Sequence, residues 1–186
     1  MKSLFNKNSK SIFFNTTIFA VLFVTVQCSK DDPEPINEEE TITTVTLSLT
    51  KSGESTATTY TWNDGGTAPS ITLAANSTYS ASVTFLDESD PSDVEDITEE
   101  VVEEVDEHQI FYQIQGAVAA IASASDDEKD SANNPLMLKT VWTTSGAASG
   151  SVQVYLIHEP TTKSGSTREA FGGETDVQVN FPVSVQ

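Results

Sequence analysis

Thr44-Val45-Thr46-Leu47-Ser48-Leu49-Thr50 is the stretch that decides the fold. Its apolar residues fall on every second position, the period of a strand with one face in a core and the other in water. The same rhythm recurs on either side. Residues 56–62 alternate and run into Asn63-Asp64-Gly65-Gly66, a strong hairpin turn. Ile71 and Leu73 form a short strand, and Tyr79, Ala81, Val83 and Phe85 share one face of the next. Further strands are expected at 109–115, 117–124, 136–143, 151–158 and 175–185, separated by Gly- and Ser-rich turns such as Ser145-Gly146-Ala147-Ala148-Ser149-Gly150. Eight or nine short strands predict a mainly β protein, an antiparallel immunoglobulin-like β-sandwich of about 145 residues. Cys28 is the single cysteine, so a disulfide framework and a Cys-rich metal site are both excluded.

One segment breaks the rhythm. Residues 87–107 hold 12 acids and no base. Ser92-Asp93-Val94-Glu95 has the form of a capping box, and Val94, Ile97, Val101, Val102 and Val105 then follow helical spacing. A helix over about 93–106 is expected, although its apolar stripe is β-branched and its Glu95/Glu99, Glu99/Glu103 and Glu100/Glu104 pairs repel. Such a helix needs a sheet beneath its valines or positive charge nearby. Its face of Glu99, Glu100, Glu103 and Glu104 suits divalent cations or a basic patch on a partner; the bland reading is a solvated face that keeps the protein soluble.

The ends of two strands carry the histidines. His108 follows Glu107 and His158 precedes Glu159. Each shares parity with apolar neighbours, so antiparallel pairing of their strands would bring both imidazoles to one rim. Two imidazoles with Glu107 and Glu159 would make a zinc or other transition-metal site, against the alternative of two capped rim histidines. Asp126-Asp127-Glu128-Lys129-Asp130 to Asn134 resembles a calcium loop, but it has Ser131 for the loop glycine and Met137 where the bidentate glutamate would stand. Tyr60 and Trp62 share a strand face and Trp142 lies in another strand; exposed, they would stack on sugar rings as in a glycan-binding or adhesin module, and buried, they would fill the core. Nothing has the form of a nucleophile elbow, a metalloprotease motif or a phosphate loop, so the chain reads as a non-enzyme.

The N-terminus reads as an address. Lys2, Lys7 and Lys10 precede an apolar run from Ile18 to Val26, too short to span a bilayer and suited to a signal peptide over 1–27. Its removal takes the net charge from −19 to −22, which excludes a nucleic-acid partner. Cys28-Ser29-Lys30-Asp31-Asp32 follows, and residues 28–41, with two prolines, read as an acidic tether to a single domain over 42–186.

The cysteine and the lysine and acids after it resemble the start of small surface lipoproteins of the Bacteroidota, though Thr25 and Gln27 stand where such signals carry aliphatic and small residues. The run Glu95-Asp96-Ile97-Thr98-Glu99-Glu100 leading to Asp106-Glu107-His108-Gln109-Ile110-Phe111 is similar to that of flavobacterial proteins of this kind. The resemblance implies an acylated Cys28 (a palmitate-type anchor) and an outer-membrane, surface-exposed location. It further implies an accessory role beside a TonB-dependent uptake receptor, with a structural surface spacer as the remaining alternative. Some such proteins are labelled type 1 periplasmic binding folds. That label requires repeated βαβ units, which the strand pattern here does not offer.

Overall fold

The computed structural model describes residues 40–186; the segment read as a signal peptide, Cys28 and most of the segment read as a tether lie outside the described residues. The chain is mainly β. In order it forms β1 (Thr44–Lys51), β2 (Thr58–Asn63), β3 (Ile71–Leu73), β4 (Thr78–Leu86), α1 (Ile97–Glu103), β5 (His108–Gln115), β6 (Ala120–Ser123), β7 (Lys139–Thr143), β8 (Ala148–His158), α2 (Arg168–Phe171) and β9 (Glu174–Val185). A five-stranded sheet runs β2-β1-β4-β7-β6 and a four-stranded one β3-β9-β8-β5. Every pairing is antiparallel except β3 with β9.

The period-two residues of both sheets meet in one core, as an alternating apolar face requires. Val45, Leu47, Val83, Phe85 and Trp142 come from the first sheet, and Ile110, Val154, Leu156, Val179 and Phe181 from the second. Trp142 is wholly buried, with its indole N–H donated to Thr140 Oγ1 at 2.9 Å and Tyr112 edge-on at 6.1 Å. The glycan reading therefore loses Trp142, because a ring sealed between two sheets cannot meet a sugar. Tyr60 and Trp62 lie half-buried against the same core, and their polar atoms donate to the backbone carbonyls of Thr72 and Gly66.

Several boundaries differ from the sequence reading, β8 starting at Ala148 and β6 covering only Ala120–Ser123, and those of the helix and of β7 have clear local reasons. The helix spans Ile97–Glu103 rather than 93–106. Asp87 and Glu95 exchange backbone hydrogen bonds at 3.0 Å, which holds residue 95 extended, so Asp96 becomes the N-cap and accepts from the Thr98 N–H. Ser92 turns back onto Asp90 instead, and Val94 is left exposed. β7 starts at Lys139, not 136, because the preceding residues cross between sheets. The Leu136 carbonyl accepts from the Ile110 N–H and that of Leu138 from the Val83 N–H, while the Asp127 carboxylate accepts the N–H groups of Met137 and Lys139. Asp130 likewise accepts from Ala132 and Asn134, so these two carboxylates brace the loop rather than converge as a calcium cage. The short α2 has no periodic signal in the sequence; Phe171 closes a small outer cluster over Tyr155 and Ile157 with Phe111 packed against it.

Replacing Trp142 by Ala is expected to cost about 3–5 kcal/mol in urea unfolding, and Trp62→Ala less than half of that. Equal losses would mean that the two rings are equally buried.

Candidate functional site

Antiparallel pairing of β5 with β8 sets His108 directly opposite His158. Both point inward at the strand ends, where the core gives way to a rim. Their rings stack with centroids 4.9 Å apart and planes within 9°, and both are buried. Imidazole lone pairs lie in the ring plane. Two parallel, stacked rings therefore cannot aim at one ion, and each histidine instead faces its own acids.

His158 groups with Glu107 and Glu159, donor atoms lying within 4.8 Å of one another. Glu159 reaches this position because it adopts φ 46°, unusual for a residue with a side chain, while its N–H donates to the Glu107 carbonyl at 2.7 Å. Both acids are exposed, and Glu107 Oε2 stands 4.0 Å from His158 Nε2. His108 groups with Glu40 and Asp176, also within 4.8 Å. Glu40 Oε1 lies 3.0 Å from His108 Nε2, and its side chain is only 9% exposed. The other oxygen, Oε2, is buried with no hydrogen-bond partner among the described residues. Asp176 is delivered by a bulge: Leu156 faces Val177 and Ile157 faces Thr175, so Asp176 is the extra residue of β9.

All four histidine-site residues expected from sequence thus stand at one rim, divided between two groups. Glu40 and Asp176 were not singled out from sequence. Glu40 falls within the segment read as tether, and Asp176 has the parity of an outward residue until the bulge re-aims it.

Electrostatics ties the rim to the acidic helix. A cleft of about 600 Å³ opens beside Glu40, walled by Asp87, Glu95, Glu100, Glu103 and Glu104 with Thr41 and Ile97. Glu99 faces the other flank of α1, beside Thr84 and Asp96. Burial and then the charges of Glu40, Glu95, Glu104 and Glu103 hold the Glu100 carboxyl above its ordinary value. Burial disfavours the charged forms of His108 and Glu40, yet their opposite charges 3.0 Å apart outweigh it, helped by the Glu104 carbonyl and Asp176 on the imidazole and by His158 on the carboxyl, raising the imidazole and lowering the carboxyl. Behind the helix, Lys163 donates to the carbonyls of Val105, at 2.6 Å, and His108. This ammonium supplies the positive charge demanded by a helix whose last turn has no base, while Ile97 and Val101 pack under β4.

Searches against protein-family models, curated proteins and solved structures find no match to this chain.

Glu100 binds its proton more tightly in the folded state, so its ionisation at neutral pH works against folding and the cost disappears in acid. Glu100→Gln is expected to raise the thermal midpoint by on the order of 1 °C at pH 7.5, with the gain vanishing toward pH 4. A gain that persists at pH 4 would point to packing instead of charge.

Proposed function

We propose that this protein is a lipid-anchored component of the bacterial outer membrane, displayed on the cell surface, whose domain is a non-catalytic binding accessory to an uptake receptor. Its ligand in this reading is a divalent cation, taken at the rim. The observation that carries the proposal is the gathering of two buried imidazoles with Glu40, Glu107, Glu159 and Asp176 at the same end of the sandwich, next to a cleft walled by carboxylates. Glycan binding has less support, since only Tyr60 and Trp62 remain near the surface and both lean on the core.

The strand order supports an immunoglobulin-like classification. With β2 and β3 set aside as additions, β1-β4-β7-β6 and β9-β8-β5 follow the A-B-E-D and G-F-C orders of that fold, without its disulfide. Scaffolds of this kind hold sites at their ends, where loops and strand termini converge. The rim is also where the chain enters the domain at Glu40, and residues 29–39 give a lipid on Cys28 a reach of roughly 20 Å to it. The partnership with a TonB-dependent receptor rests on the resemblance of the Cys28 start and the 95–111 run.

Calorimetric titration of the detergent-solubilised full-length protein with zinc, manganese and calcium ions at physiological salt is expected to give saturable heat with at least one of them, at about one ion per chain. No saturable heat with any would overturn the cation reading. Cys28→Ser is expected to shift the protein from the membrane to the soluble fraction; an unchanged distribution would overturn the anchor.

A further inference from the structure

The geometry points to Glu40, His108 and Asp176 as a site for one divalent first-row transition metal, zinc being the simplest probe, in which the ion takes the place of the proton between His108 and Glu40. The inference rests on the cation reading above and makes it specific: it names the ligands, and it excludes His158 and the acids of α1 from them.

Three observations converge on these three residues. The first is the tautomer. His108 Nδ1 lies 3.3 Å from the Glu104 carbonyl, an acceptor, so Nδ1 carries the hydrogen. That leaves Nε2 without a hydrogen, 3.0 Å from Glu40 Oε1, which is an acceptor as well. Two acceptors at that distance require a proton or a cation between them, and a backbone carbonyl orienting the remote nitrogen is the usual support of a metal-bound imidazole. The second is burial. His108 is wholly shielded from solvent and the Glu40 side chain nearly so, with Oε2 buried and partnerless among the described residues.

The third is distance. Bonds of about 2.0–2.2 Å to nitrogen and oxygen place neighbouring ligand atoms roughly 3.0–3.6 Å apart. The 3.0 Å from Glu40 Oε1 to His108 Nε2 already meets this, and one donor atom of each of the three residues lies within 4.8 Å of the others.

The donor set chooses the class. One imidazole with two carboxylates suits zinc, manganese, iron or cobalt, while calcium prefers six to eight oxygens, more than this pocket offers. His158 stacks on the face of His108 and therefore shields the ligand without sharing the ion.

The test is zinc titration of the detergent-solubilised full-length protein, wild type against variants, with the nitrogen-15 signals of both imidazoles followed by NMR. The expected result is one zinc per chain, with the His108 Nε2 resonance shifted and that of His158 nearly still. Glu40→Gln and Asp176→Asn, which preserve shape, should each weaken zinc at least about tenfold. His158→Gln should change it less than about threefold, and calcium should not displace zinc at equal concentration. His108→Gln should abolish binding; because that side chain is buried, the NMR shift in the wild type decides the matter if the variant does not fold. Zinc affinity that survives Glu40→Gln together with Asp176→Asn, or is lost on His158→Gln alone, would overturn this assignment and leave the cation reading standing. So would affinity lost only on joint replacement of Glu100, Glu103 and Glu104 by Gln. Failure of zinc, manganese and calcium alike to bind would overturn both.

Discussion

The pairing of β5 with β8 is the constraint on which the rim depends. Because side chains alternate with period two, a slip of one residue would send Ile110, Tyr112 and Ile114 to the outer face and His108 with them. The register is held from both sides of the sheet. Inside, Ile110 faces Leu156, Tyr112 faces Val154 and Ile114 faces Val152. Outside, Phe111 stacks on Tyr155 at 6.0 Å under Phe171. Two histidines fifty residues apart are therefore placed ring on ring by hydrophobic pairing, not by any attraction between the rings.

Much of this was legible in the alternation. Val45 to Leu49, Tyr79 to Phe85 and Val177 to Val183 announce strands, and the shared inward parity of His108 and His158 places both at strand ends. What period two cannot reveal is where it fails. Met137, at φ 70°, sits where the chain changes sheets, and the bulge at Asp176 turns an outward residue toward the rim. Glu40 was hidden for another reason. Composition marks 28–41 as unable to bury apolar surface, and that argument is blind to a single carboxylate captured by a buried imidazole. The helix boundaries failed where local bonds, those between Asp87 and Glu95, competed with a helical pattern made of poor helix formers.

The acidic segment illustrates how tertiary contacts override local preference. Seven residues are too few for a helix to persist alone, and this one adds β-branched residues and repelling glutamates. It persists because Ile97 and Val101 are buried in the core and because the Thr98 hydroxyl bonds with the backbone of Phe85. Lys163 then quiets the carbonyl end. The helix ends soon after Val101, its last buried residue, and Glu104, Asp106 and Glu107 follow in turns.

Charge and geometry play separate parts at the rim. The carboxylates of α1 create a negative field that draws any cation and repels anions, without choosing among cations, because none of them is held in a fixed ligand arrangement. Selection requires donors of fixed type and orientation. Glu40, His108 and Asp176 supply these: a strand end and a backbone carbonyl place His108, a bulge places Asp176, and Glu40 lies 3.0 Å from the imidazole. An ion bound there would also join three separate parts of the chain: the residue entering the domain, the first residue of β5 and the start of β9. Occupancy would thus cross-link Glu40 to two strands of the second sheet, so the contacts that recognise the ion would also stiffen this end of the sandwich.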